Sequence, residues 1–284
     1  QIYEDYNVYL IYKDLQRADF NRSWTGISYG SGYEGQGCVN DEMTNYYVEF
    51  MKKHIFAYLN PPITSKVLPM YWYLGYNVYS KGVLEVGGVI LASWIVPIHE
   101  NYDGLDYWCT CMFGEDNPSD PYLIPTDRAL LDRRRKMILA PVLEKAVKAG
   151  NIIIPEEFEV GFDHVTNLIA GLGMEDDPNY YLTRGYPGSV NTYVFNSISE
   201  PANNSYPPTI EETFIGYMHL SMYYNQARLA EVYPADKYPF LTEKFAFVQK
   251  YLKDKYQIDL EAIANGPEDW DLPLPPIPET PDEE

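Results

Sequence analysis

The sequence predicts an α+β fold with one main domain, from the order in which its patterns arrive. Strand-like runs and one helix occupy roughly the first 125 residues, a long helical pattern runs from about Thr126 to Ala149, and helices dominate the rest. The chain has 284 residues, enough for one large domain or two modest ones, and 46% hydrophobic residues supply a full-sized core. The domain is expected over 1–265, with 1–125 and 126–265 as candidate lobes, followed by a proline-rich acidic tail over 266–284.

Each element has a local reason. Asn7 to Tyr12 reads NVYLIY, a strand by β-propensity. Gly26 to Gly37 is glycine-rich with irregular spacing and no following GK[ST], so it predicts a loop and excludes a phosphate loop. Asp41 to Leu59 predicts a helix capped by Asn40 or Asp41, with Met43, Tyr46, Tyr47, Phe50, Met51, Ile55 and Tyr58 on the apolar face and Asn60-Pro61-Pro62 as its stop. Lys66 to Leu74 and Val83 to Val96 read as strands, the second folding back at Gly87-Gly88. Asn101 to Pro125 reads as a long ordered loop.

The central helix is expected to be capped by Thr126 or Asp127 and stopped by Gly150-Asn151. Pro141 either kinks it or opens a second helix after a break near Leu139. The run Asp132-Arg133-Arg134-Arg135-Lys136 is expected to be its solvated face. Ile152 to Ile154 reads as a short β run, Met174 to Pro208 as irregular chain, and Thr209 to Val232 and Pro239 to Tyr256 as closing helices. The tail Gly266 to Glu284 is expected to be extended on the surface or disordered.

Composition limits the function. A formal net charge of −20 and a pI near 4.5 oppose binding to nucleic acid, which needs Lys and Arg to displace counterions, and oppose docking on anionic lipid. No apolar run reaches the ~18 residues of a membrane-spanning helix, so no transmembrane segment is expected. Gln1 opens the chain without Met or a signal peptide, so a removed leader is expected. Tyrosine is abundant, with 28 residues, and its flat apolar face and polar tip suit sugar rings or peptides as well as an ordinary core. Of the three cysteines, Cys109 and Cys111 are poorly placed to bridge each other; a bridge from Cys38 to either stays open, with buried free thiols the favoured expectation.

Catalytic motifs are missing. None of the four histidines, His54, His99, His164 and His219, has a second at i+4 as a zinc helix requires. Gly30-Ser31-Gly32 lacks the spacing of a nucleophile elbow. The acid pairs Glu156/Glu157 and Glu211/Glu212 are weak signals of glycosidase chemistry in so acidic a chain.

Several blocks occur in a recognisable order: Lys13-Asp14-Leu15 after the first strand, Lys66-Val67-Leu68-Pro69, Ile154-Pro155-Glu156-Glu157-Phe158, Gly185-Tyr186-Pro187, Ile210-Glu211-Glu212-Thr213-Phe214, and Tyr238 to Leu260. With them the chain resembles the zinc-metallopeptidase-like surface lipoproteins of Bacteroidetes that are encoded beside nutrient importers of the SusC/SusD type. The resemblance implies a zincin-like α+β fold and lipid anchoring at the outer membrane or cell surface. It also implies SusC/SusD-like partners and a glycan or peptide ligand.

Active members of that family carry HExxH on the central helix. The window here is Ala140-Pro141-Val142-Leu143-Glu144, with Ala140, Pro141 and Glu144 standing where His, Glu and His would be. No histidine lies between His99 and His164, so no register restores the motif and no metal cofactor or catalytic residue is expected. The expected function is a non-catalytic, metallopeptidase-like binding protein that uses aromatic residues of the old cleft, with Trp72, Tyr73, Trp94, Tyr107 and Trp108 as candidates. The alternatives are a hydrolase using Glu144 with Glu211 or Glu212, and a structural subunit of an importer complex without a ligand.

Overall fold

The computed structural model describes residues 1–22, 32–98, 100–101, 106–111, 128–190 and 198–268. Much of the glycine-rich piece, most of the 101–125 segment, His99, the 126–127 cap and the tail from 269 lie outside them. The described chain is mixed α and β and divides into two compact units, Gln1–Phe56 with Leu68–Leu131, and Ala57–Val67 with Asp132–Glu268.

The first unit is built on one strand. After α1 (Ile2–Tyr6) come β1 (Tyr9–Ile11), α2 (Arg17–Phe20), β2 (Tyr33–Gln36) and α3 (Asp41–Phe50). The long β3 (Tyr71–Val86) follows, then β4 (Val89–Pro97), β5 (Glu100–Asn101) and β6 (Tyr107–Cys111), completing a six-stranded mixed sheet. The first half of β3 is flanked by parallel β1 and β6, and its second half pairs antiparallel with β2 and β4. Asn77 has a left-handed φ of 48° between the halves, a conformation that asparagine tolerates better than most residues. Gly75 is required nearby, because a Cβ there would meet the Cys109 sulfur at 2.9 Å.

Side chains alternate across the sheet, so the aromatic strands cover both faces. Trp72 packs edge-on to Phe56 and Trp108, with ring centroids at 5.9 and 5.3 Å. The opposite face holds Tyr73, Tyr107, Cys109 and Cys111 in a cluster with Leu15, Phe20 and Val78. α3 is capped by Asn40, whose side chain accepts from the Met43 N–H at 2.8 Å, and buries Met43, Tyr46, Tyr47 and Phe50. The Tyr47 hydroxyl lies 3.1 Å from the Gly75 carbonyl and 2.9 Å from the Thr110 carbonyl, tying the helix to two strands. The helix then widens into a π turn over Met51–Ile55 and tightens into a 3-10 turn over Phe56–Tyr58.

The second unit begins with α4 (Pro61–Thr64) and continues with α5 (Arg128–Lys148), which passes from the first unit into the second. It is completed by α6 (Glu156–Glu159), the small β7 (Ser189–Val190) and β8 (Ile198–Ser199), α7 (Ile210–Tyr223), α8 (Gln226–Val232), α9 (Pro239–Tyr256) and α10 (Leu260–Asn265). α5 remains one helix through Pro141, so the break near Leu139 is not used. Gly150, at φ 77°, ends the helical stretch as expected.

The sequence blocks that carried the family resemblance in this unit pack together. Phe158 meets Phe214 and Tyr217 edge-on, and the Tyr217 hydroxyl donates to the Gly185 carbonyl at 2.6 Å. The Phe240 ring fills the space where Gly185 would carry a Cβ. The Lys244 ammonium donates to the Phe158 carbonyl at 2.9 Å and sits over the rings of Phe158, Phe162, Phe240 and Phe247. These blocks build a core around one buried cation.

Several local expectations are corrected. Tyr33–Gln36, expected in a loop, is a strand because β3 extends far enough to pair with it. Tyr107–Cys111, also expected in a loop, is a fully buried strand against β3. Pro61 starts a helical turn, with Asn60 as its cap. β3 begins at Tyr71, not at Lys66, and 152–154 is irregular. The helix expected over 209–232 stops at Tyr223, and Asn225 caps a new one. The basic run is not a solvated face: Arg134 and Arg135 are buried, and Arg135 Nε donates to the Ile263 carbonyl at 2.9 Å.

Candidate functional site

Polar and aromatic groups of the first unit gather where the chain leaves β1. The segment Lys13-Asp14-Leu15 separates two open clefts. One, of about 290 Å³, is lined by Ile11, Lys13, Asp14, Asp19, Arg22, Tyr71, Tyr73 and Asp106, together with Leu15. The other, of about 540 Å³, lies toward Gln36 and the start of α3.

Local geometry forms this wall. Asp14 adopts a left-handed φ of 59° to turn the chain. The Cys38 N–H donates to the Tyr12 carbonyl at 2.7 Å, and Gly37 lies so close to that carbonyl that no side chain fits. Gln16 and Asp19 form a capping box at α2, which places Arg22 just beyond the helix.

Arg22 is the centre of the smaller cleft. Its guanidinium is 3.2 Å from the Asp106 carboxylate and donates to the Tyr73 hydroxyl. The guanidinium carbon lies 5.9, 6.0 and 5.9 Å from the ring centroids of Tyr71, Tyr73 and Tyr107, within cation–π range. Burial raises the Tyr73 pKa, and the Arg22 charge partly offsets this, so Tyr73 remains a neutral hydroxyl at physiological pH.

Outside the guanidinium runs a tyrosine row. Tyr9, Tyr71 and Tyr107 stand in register on β1, β3 and β6. Tyr71 stacks on Tyr9 at 6.0 Å, and the exposed Tyr9 stacks on the exposed Tyr3 at 4.2 Å. This arrangement offers aromatic faces beside hydroxyl, carboxylate and guanidinium groups. Its cations are already paired, Lys13 with Asp41 at 2.8 Å and Arg22 with Asp106.

The residues named from sequence are distributed differently. Tyr73 lines the smaller cleft, through a largely buried ring. Trp72 and Trp108 are interior and belong to the face packed on Phe56. Tyr107 is interior, with its hydroxyl donating to the Phe20 carbonyl. Trp94 is exposed on β4. Arg22, Tyr71 and Tyr9 were not singled out from sequence. The available signal was the abundance of tyrosine within the strand runs, and Arg22 carried none.

The zinc implied by the resemblance does not fit the central-helix window. Ala140, Val142 and Leu143 are buried apolar residues, Pro141 has no donor atom to offer, and Glu144 is ion-paired with Lys148 at 2.6 Å. Among the described residues no group of three His, Cys, Asp or Glu side chains is placed to hold a metal. Of the acids in the hydrolase alternative, Glu212 is engaged locally, as Glu144 is. Glu212 accepts from the Thr209 N–H at 2.8 Å as a helix cap, and those hydrogen bonds lower its pKa. All three cysteines are buried thiols, and burial pushes the Cys38 thiol up to about 11.

His219 on α7 packs against this window. Burial lowers its pKa, partly offset by the Glu144 charge and by its hydrogen bond to the Ala140 backbone. The folded state therefore binds fewer protons than the unfolded state between the depressed pKa and the unfolded value of about 6.5. Its contribution is fully present above about pH 6.5 and is lost as pH falls through the folded pKa, with a slope of at most ~1.4 kcal/mol per pH unit. Urea unfolding between about pH 5 and 7.5 should show this decline, and His219→Asn should flatten it relative to wild type. An unchanged slope would remove His219 as the cause.

No protein-family model matches the chain, and no curated protein matches it. A solved structure from Bacteroides caccae, provisionally named a zinc-binding metallo-peptidase, superposes with a TM-score of 0.46 and 14% sequence identity, over 93% of this chain and 87% of that one. Among the described residues no helix is long and apolar enough to cross a membrane.

Proposed function

We propose that this chain is a non-catalytic, metallopeptidase-like surface protein that binds a neutral glycan at the Arg22 cleft and presents it for uptake. The observation that carries the reading is the Arg22 guanidinium, held by Asp106 and Tyr73 beside the Tyr3–Tyr9–Tyr71 stack. Sugar rings pack their C–H faces on tyrosine, and their hydroxyls exchange hydrogen bonds with carboxylate and guanidinium groups. The pairing of both cations of the cleft favours a neutral ligand over an anionic one. Surface location, lipid anchoring and delivery to a SusC/SusD-like importer rest on the family resemblance. The absence of catalysis rests on Ala140, Pro141 and the ion-paired Glu144 in the motif window.

Titration of the full chain with a panel of neutral oligosaccharides, followed by intrinsic fluorescence, tests this reading. At least one oligosaccharide should bind, and Arg22→Ala should weaken it at least about tenfold with the thermal transition retained. Turnover of the panel, or binding unaffected by Arg22→Ala and by Tyr71→Ala, would defeat it.

A further inference from the structure

A second surface of the first unit has a different chemistry. Beyond Ser80, β3 continues with β4 as a two-stranded ribbon that turns at Gly87-Gly88, both at positive φ (60° and 81°) as a tight hairpin requires. Among the described residues, no strand pairs with the outer edge of β4 or with β3 past Ser80. Two rows of backbone N–H and C=O groups are thus left without strand partners among the described residues.

The ribbon is apolar where it should be polar. Val83, Leu84, Val86, Val89, Ile90, Leu91, Trp94, Ile95 and Val96 are each 42% to 64% exposed. The register sorts most of them by face. Leu84, Val86, Val89, Ala92, Trp94 and Val96 share one side, where the Trp94 ring lies across Gly82. That side carries no charge. Val83, Glu85, Ile90, Ser93 and Ile95 share the other side, and a register shift between Leu84 and Glu85 leaves Leu91 as an extra residue in β4.

A long, exposed, apolar edge strand is a pairing surface that natural proteins usually shorten, charge or cover. This one is long, carries Lys81 and Glu85 as its charges, and is not covered by a paired strand among the described residues. Five of its apolar side chains, Leu84, Val86, Val89, Trp94 and Val96, lie on the uncharged side and are 45% to 60% exposed, and the open β4 edge extends that patch toward the ~800 Å² that each partner contributes to a stable interface.

We propose that this ribbon is the dimerisation arm of the protein, covered by the same ribbon of a second copy about a two-fold axis. An uncharged apolar face is complementary to its own image, which is what an isologous contact requires. The open β4 edge is equally self-complementary, because antiparallel pairing is compatible with a two-fold axis. The arm can associate although each chain carries a net charge of −20, because in sequence Lys81 and Glu85 are the only charges between Ser80 and Ile98. The remaining acids repel at longer range, so association strengthens as salt screens them. A bilayer is a poorer occupant, because hydrocarbon cannot satisfy the backbone edges of an open ribbon.

The test is analytical ultracentrifugation of the full chain over a concentration series, at low and at moderate salt. Wild type should sediment as a monomer–dimer system whose dimer fraction rises with salt. Leu84→Lys/Val89→Lys, on the uncharged face, should raise the dissociation constant at least about a hundredfold. The same variant should keep the wild-type thermal transition and Arg22-dependent ligand binding. A wild-type chain that stays monomeric at both salt concentrations would overturn the proposal. So would a dimer unaffected by the variant, or recovery of wild type with uncharged phosphatidylcholine vesicles that the variant abolishes.

Discussion

Replacing Trp72 by alanine is expected to lower the unfolding free energy by about 3–5 kcal/mol. Trp72 is 0% exposed and stands edge-on to Phe56 and Trp108, so the truncation removes a large apolar surface and leaves a cavity that the sheet cannot collapse to fill. For a chain of this size the thermal midpoint should fall by roughly 10 °C, read by calorimetry or circular dichroism. Oligosaccharide binding, measured well below the new midpoint, should be retained, because Trp72 projects from the face opposite Tyr71 and Tyr73. Trp72→Phe should cost far less, since the indole Nε1 has no hydrogen-bond partner to lose. A Trp72→Ala protein with unchanged stability but abolished binding would return Trp72 to the ligand site.

Arg135→Ala is expected to cost a similar amount, about 3–5 kcal/mol, because one partner of a buried charge network is removed while the others remain. The Arg135 side chain is 0% exposed, 2.7 Å from the Asp132 carboxylate, and donates to the Ile263 carbonyl. Gly266, just past α10, approaches the guanidinium so closely that a Cβ would meet its nitrogens at 2.8 Å. The arginine therefore fastens α5 to the end of α10, and its loss should be read in urea unfolding as a lower midpoint at unchanged slope. The exposed Lys145→Ala on the same helix should stay within about 0.5 kcal/mol of wild type. If Arg135→Ala behaved like Lys145→Ala, the buried network would carry no stability.

These two residues show where local reading fails. Arg135 sits in a run of four basic residues on a helix, which by itself predicts solvent. Only α10, about 130 residues later, supplies the acceptor that lets one of them be buried. Trp72, Trp108 and Tyr107 read as aromatic candidates for a cleft, but both faces of the sheet are covered, by Phe56 on one side and Phe20 on the other, and all three are buried. Tyr33–Gln36 and Tyr107–Cys111 lack strong strand signals because their β structure is imposed by β3, whose length exceeds what its sequence announces. Arg22 gains its role from Tyr71, Tyr73, Tyr107 and Asp106, none of which is its sequence neighbour.

The sequence by itself determined the mixed α and β composition, the capped helix after Asn40, the hairpin turn at Gly87-Gly88, the central helix with its glycine stop and the last long helix from Pro239. It also determined that the central-helix window lacks metal-ligating histidines. Each of these depends on periodicity, capping or residue identity within a few positions, interactions that short segments specify alone. Tertiary structure decided the split strand order around β3, the burial of Arg134, Arg135 and Lys244, the tyrosine row beside Arg22 and the exposure of the apolar ribbon. Those features depend on which distant surfaces meet, because burial and charge pairing are energies of contact between segments far apart in the chain.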